Sequence, residues 1–512
     1  MRRIATSALA GIAAVTTSLS MVACSAGSGS TPAASGSGGP AGAGSTETLA
    51  IGLAAEPANL DFTKTDGAAI AEALLTNVYE GLVKIDQDGT IVPGLATRWE
   101  VSTDRTTYTF DLTDTARFSS GAQFTADDAV FSINRVKTDW TPSVKAAMDV
   151  VTSATALSPT RLQVKLAKPS NDWLYRMTTR IGAMFSRTGV DALATKPVGT
   201  GPYTLKEWRR GDSITLVRNE DYWGARPHFQ AVTLKYIKDP NALNNALLSG
   251  TIDVIGVVTA PEALGRFTGN DNFQVIEGTT NGEVVLAMNN ARPPFTDKLV
   301  RQAARHAIDR ASLLKTCWGG KGKLIGSMVP PTDPWYEDLT GIAPYDVAKA
   351  KALLARSGTP APAVRLRVPT LPYAVTCGQV VKSQLENAGF KVTMDQLEFP
   401  AKWLSDVFRG SDYEMSIVAH VEGRDLRNVF GNPDYYIHVK NPVLDTLLAQ
   451  ADSGPEDQQV AKMKEAARLI SADANSDWLF LLPNLMVADK GITGLPTNRL
   501  SDALDLTRLS RS

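Results

Sequence analysis

The chain has 512 residues, 43% of them hydrophobic, and a formal charge of -1 from 52 Lys and Arg against 53 Asp and Glu. A balance this close to neutral gives no long-range pull towards nucleic acid or an anionic membrane, and no basic block interleaved with aromatics appears. Nucleic-acid partners are therefore set aside. The apolar fraction is that of a globular protein, and the length provides for two or three domains.

The first element is a short basic head, Arg2 and Arg3, followed by an apolar run from Ile4 to Met21 and the small-residue site Met21-Val22-Ala23-Cys24. A run this short with these flanks predicts a cleaved export signal over residues 1–23 rather than a structural helix. The site resembles a bacterial lipobox with Met21 in place of the usual Leu. That resemblance implies acylation of Cys24, which becomes the N-terminus and holds the chain on the outer face of the cytoplasmic membrane. Residues 24–46 are almost entirely Gly, Ser, Ala, Pro and Thr, too poor in apolar surface to offset the entropy of ordering. They read as a tether with a reach of roughly 25 Å. No later apolar run approaches the roughly 18 residues of a spanning helix, so attachment rests on Cys24.

The body of about 465 residues alternates strand-like and helix-like runs. Residues 48–53 read as a strand and 67–79 as a helix. Residues 106–112 (TTYTFDL) alternate as a half-exposed antiparallel strand should. Thr125 caps a helix reaching Val136, with Asp127 and Asp128 in its first turn. Further strands fall at 161–166, 203–208, 213–217 and 231–237. Residues 296–315 predict one amphipathic helix, and 346–357 another, ended by Gly358. Strands at 365–368, 391–397 and 414–419 alternate with helices at 377–388 and 400–408. This alternation predicts an α/β protein, and no internal repeat is present.

Only Cys317 and Cys377 remain for a disulfide, and an exported protein occupies the compartment where disulfides persist. A bridge would close a loop of about sixty residues; two thiols too far apart to meet is the alternative. No His or further Cys stands at ligand spacing near either, so no metal site is expected. Ser312-Leu-Leu-Lys315 matches the Ser-x-x-Lys spacing of penicillin-interacting enzymes and Ser132-Ile-Asn134 their Ser-x-Asn, but in reversed order and with no Lys-Thr-Gly. No catalytic activity and no cofactor are expected.

Several ordered segments carry a resemblance. They include Tyr79-Glu80-Gly81-Leu82, residues 95–100 (LATRWE) before TYTFDL, Arg117-Phe118-Ser-Ser-Gly121 and Phe124-Thr-Ala-Asp-Asp128. Gly199-Thr-Gly-Pro-Tyr203, Arg218-Asn-Glu-Asp-Tyr222-Trp223, Ser249-Gly-Thr-Ile-Asp253 and Val300-Arg-Gln-Ala with Ala307-Ile-Asp-Arg310 follow. Together they resemble the family 5 extracellular solute-binding proteins of bacterial ABC importers, the dipeptide, oligopeptide and nickel class. The resemblance implies the periplasmic-binding-protein fold: lobe I from 47–82, 195–283 and 485–512, an inserted subdomain from 83–194, and lobe II from 284–484. A hinged cleft would lie between the lobes, with crossing strands near 282–288 and 482–488. It also implies a monomer that captures a small solute, most readily a short peptide, and passes it to a permease driven by an ATPase. The alternative is a lipoprotein of the same fold acting as a sensor or cell-envelope factor. Gly199-Thr-Gly-Pro-Tyr203 reads as a turn, and Trp99 and Phe110 as core.

For the site, a strand running into the charged loop His420-Val-Glu422-Gly-Arg424-Asp425-Leu-Arg427 suits a cleft mouth better than a core edge. In peptide-binding members the matching strand end carries an Asp that holds the ligand amine, and Glu422 falls at that position. Arg424 and Arg427 are suited to a carboxylate. Asp66 and Gly67 match a loop facing the ligand backbone, Trp403 reads as an aromatic wall or as core, Asn281 stands close to a crossing, and His420 is the one His in the proposed site.

Overall fold

The structure, a computed structural model, describes residues 47–65 and 67–512. The export signal, the tether, Cys24 and Asp66 lie outside the described residues. Among those described, no helix is long and apolar enough to cross a membrane.

A ten-stranded mixed sheet runs through the molecule. From edge to edge it is built of Lys391–Leu397, Ala363–Pro369, Met415–His420, Phe273–Met288, Ser476–Asp489, Val254–Ile255, Thr48–Leu53, Ala231–Tyr236, Ser213–Arg218 and Tyr203–Arg209. The two central strands are long, 16 and 14 residues, and are shared by both halves. Residues 273–279 pair with 483–489, and residues 283–287 with 476–481. Between these stretches the register breaks at residues 279–283. Strand Met415–His420 joins only beyond the break, Glu283 facing His420 and Met288 facing Met415. On the other side Val254–Ile255 pairs with Val487 and Ala488. A separate four-stranded sheet, Ala96–Val101, Thr107–Leu112, Arg161–Leu166 and Val151–Ser158, carries the alternation read from TYTFDL, with Tyr108, Phe110 and Leu112 buried.

The apolar faces bury as the pleat dictates. Val284, Leu286 and Met288 pack into one core with helices Lys298–Ala307 and Pro372–Asn387. The alternate residues Val285 and Ala287 pack into another, with Trp335, Trp403, Tyr436 and Trp478. Cys317 and Cys377 are joined by a disulfide with Cα atoms 5.0 Å apart, tying helix Arg310–Trp318 to helix Pro372–Asn387.

Two helices differ from expectation. The run 296–315 is two helices, Lys298–Ala307 and Arg310–Trp318, because Ile308 is extended and Asp309 starts afresh by accepting the Ser312 N–H at 3.0 Å. Amphipathic spacing continues across the break, so periodicity alone does not reveal it. The helix expected over 67–79 ends at Leu74, and Thr76 takes a left-handed φ of 69°.

Three of the sequence marks converge on one carboxylate. Glu80 accepts hydrogen bonds from Thr200 Oγ1, Tyr222 Oη and Trp223 Nε1, each at 2.8 Å. Burial pushes its carboxyl above the usual range, and these three donors oppose that push. Gly199 and Gly201 are required by close backbone approach: a Cβ would stand 1.9 Å from the Val78 carbonyl oxygen and 2.4 Å from that of Asn77. These segments therefore hold the scaffold together.

Candidate functional site

The charged loop leaves strand Met415–His420 at the seam between the halves and enters the short helix Leu426–Phe430. His420 is buried, its Nε2 3.0 Å from Tyr436 Oη and its Nδ1 3.7 Å from Asp425 Oδ2. Asp425 is buried beside it and accepts from Asn428 Nδ2 at 2.8 Å. Both side chains are buried and find partners within the protein. Trp403, 4% exposed, donates to Ser416 Oγ at 3.1 Å and packs edge-on to Tyr436. It belongs to the core of this half rather than to a cleft wall.

Glu422 stands differently. Its side chain is exposed to solvent, yet the protein is dense around it, as in a recess open on one side. Burial in that recess, and then the neighbouring Asp425 and Asp502 carboxylates, push its carboxyl above the usual range, with His420 opposing. Asp502 is itself pushed up by burial and pulled back by Arg180, Arg499 and Arg176.

The other half reaches the same loop. Tyr175 and Arg176 sit on helix Asn171–Arg176. Arg176 donates to the carbonyl oxygens of Gly423 and Arg424, both at 3.1 Å, while its Nε holds Asp172 at 3.0 Å. A Cβ on Gly423 would lie 1.9 Å from Tyr175 Oη and 2.8 Å from Asn281 Nδ2, so only glycine fits there. Asn281 is buried and donates to the Leu500 carbonyl at 2.8 Å. Arg424, held at a left-handed φ of 55°, places its guanidinium 4.3 Å over the Tyr175 ring and 5.0 Å over that of Trp335. Its Nε is 3.7 Å from Asp333, whose carboxyl is pushed up to about 6 by burial despite that guanidinium. Arg427 pairs with Asp452 at 2.6 Å, and Asp452 also accepts from Ser170 Oγ at 2.8 Å. Both arginines thus have protein partners. Gly67 is exposed at the start of helix Ala68–Leu74, with a φ of 122°.

The structure therefore brings Asn281 beside the loop that carries Glu422 and Arg424. It adds Tyr175, Arg176, Glu283, Asp333, Trp335 and Asp502, which sequence reasoning missed. Glu283 left a readable trace, an acid at the head of the apolar run EVVLAM.

A mixed sheet shared by two halves, with an acidic and aromatic recess at their seam, defines a two-lobed solute-binding protein. The model for bacterial extracellular solute-binding proteins, family 5 Middle, matches residues 90–429, and the chain belongs to that family. It is 32% identical over 307 residues to the nickel-binding periplasmic protein of Escherichia coli (strain K12), covering 56% of each chain. It is 25% identical over 519 aligned residues to di/tripeptide-binding protein 2 of Pseudomonas aeruginosa (strain UCBPP-PA14), covering 90% of this chain and 94% of that one. The first of these matches, and that to a heme-binding protein of Haemophilus influenzae, span only 56% and 57% of those relatives' own length. In fold, the chain superposes on the dipeptide binding protein from Pseudoalteromonas sp. SM9913 in complex with Met-Leu. The TM-score is 0.81 at 20% identity, covering 91% of this chain and 100% of that one. These relatives are solute-binding proteins, not enzymes, and Ser312 of the Ser-x-x-Lys spacing lies exposed on helix Arg310–Trp318.

Proposed function

We propose that this protein captures a small amine-bearing solute, most readily a short peptide, between its lobes and hands it to an ABC permease powered by an ATPase. The observation that carries this reading is Glu422, a carboxylate open to solvent inside a recess at the seam, with other carboxylates around it. A ligand ammonium relieves that repulsion and gains a charge-assisted hydrogen bond. One relative matched over most of its length is named for di- and tripeptides, which agrees with this reading. The assigned lobes are 47–82 with 195–283 and 485–512 against 284–484, with 83–194 inserted in the first. Ligand touching both lobes stabilises the closed arrangement, because only there are all contacts made. Export, acylation of Cys24 and a tether through residue 46 would keep this monomeric body near its permease.

A thermal-shift screen of short peptides, free amino acids, oligosaccharides and nickel–histidine tests the reading. A solute at 100 times its Kd adds about 2.7 kcal/mol of stability. Peptides should shift the protein, and Glu422→Gln should weaken their binding about tenfold, the loss of one charge-assisted bond. A shift confined to solutes without an amine would reject the Glu422 anchor.

A further inference from the structure

Glu422 is not the only carboxylate of the recess without a cation. Glu283 lies directly opposite His420 across the ladder, so its side chain projects to the same face as His420. That face, continued by Val285 and Ala287, is the one packed with Trp335 and Tyr436. Glu283 is 3% exposed, and its Oε2 is buried with no hydrogen-bond partner. The charges acting on it most strongly are the Asp333, Asp425 and Glu422 carboxylates. An unpartnered buried carboxylate is costly; burial and these neighbouring acids hold the Glu283 carboxyl well above the usual range, and the nearby cations are already placed. Arg424 faces Asp333, while Arg176 and Arg499 hold Asp172 and Glu72. Among the described residues neither Glu283 nor Glu422 takes part in an ion pair, and no group of three His, Cys, Asp or Glu stands ready to hold a metal. The walls nevertheless suit a cation, since the Tyr175 and Trp335 rings already hold the Arg424 guanidinium between them.

We infer that the recess selects an organic solute with two cationic groups, its amine at Glu422 and a second ammonium or guanidinium at Glu283, as in a peptide beginning with Lys or Arg. The inference rests on the reading of Glu422 as an amine anchor. Glu422 follows His420, the residue opposite Glu283, by two positions, and its carboxylate is among the charges acting on Glu283.

Calorimetric titration of the protein with lysyl-alanine, norleucyl-alanine and alanyl-alanine tests it. Norleucine keeps the side-chain length of lysine and removes its charge. Lysyl-alanine should bind at least tenfold more tightly than norleucyl-alanine, and Glu283→Gln should reduce that ratio to near one. Equal binding of the two peptides in the unmutated protein overturns the second cationic subsite and leaves the amine anchor standing. Failure of all three to bind overturns both.

Discussion

Gly423→Val is expected to weaken ligand binding on the order of 100-fold while leaving the stability of the ligand-free protein little changed. The position has no room for a Cβ, which would fall 1.9 Å from Tyr175 Oη and 2.8 Å from Asn281 Nδ2. Tyr175 is itself 3% exposed and cannot swing clear cheaply. Forcing methyl groups into a packed contact costs about 1–3 kcal/mol, and each 1.4 kcal/mol is tenfold in affinity. The nearer clash, with Tyr175, exists only when the loop and helix Asn171–Arg176 are together, so most of the cost falls on the closed arrangement and passes to the ligand that needs it. Tyr175→Phe removes the nearest atom and should return part of the affinity in the double variant. Calorimetric titration against the best ligand of the screen reads both effects. Unchanged affinity in Gly423→Val would show that this contact is no part of the ligand-bound arrangement.

Loss of the disulfide is expected to cost roughly 4 kcal/mol. The bridge spans 60 residues of sequence, and a cross-link of that length removes about this much loop-closure free energy from the unfolded chain. Both cysteines lie in the core with helices Arg310–Trp318 and Pro372–Asn387, so replacement by Ala also deletes buried sulfur atoms and adds a cavity cost to the loss of the cross-link. Urea unfolding of Cys317→Ala/Cys377→Ala against the oxidised protein, with and without reductant, separates the cross-link from the side chains. Reductant should lower the midpoint of the unmutated protein and leave the variant unmoved. A difference below about 1 kcal/mol would mean that the unfolded chain is already compact around these helices, a known reason for small disulfide effects.

The scaffold was legible in the sequence wherever local chemistry determines it. TYTFDL alternates and forms a strand with its even positions buried; Asp309 was hidden inside one periodic run because apolar spacing does not register an N-cap between two helices. The site was legible only in part. Glu422 and Arg424 were singled out because a strand passing into dense charge is locally odd. Their neighbours were not, since Tyr175 and Arg176 precede the loop by about 250 residues and Asp333 and Trp335 by about 90. His420, Asp425 and Trp403 each found a partner within the fold, and sequence carries no record of which polar groups are already satisfied. Glu283 could be weighed only once its neighbours were known to be acids.

The two long central strands have a further consequence for how the molecule melts. Proteins of several domains commonly come apart in stages, because few interactions cross between their parts. Here Phe273–Met288 and Ser476–Asp489 are interior strands of both halves, and each half builds its share of the sheet on one end of the same ladder. Fraying that ladder in either half strips the other of its central pair, so the halves should unfold as one cooperative unit, in a single endotherm rather than two.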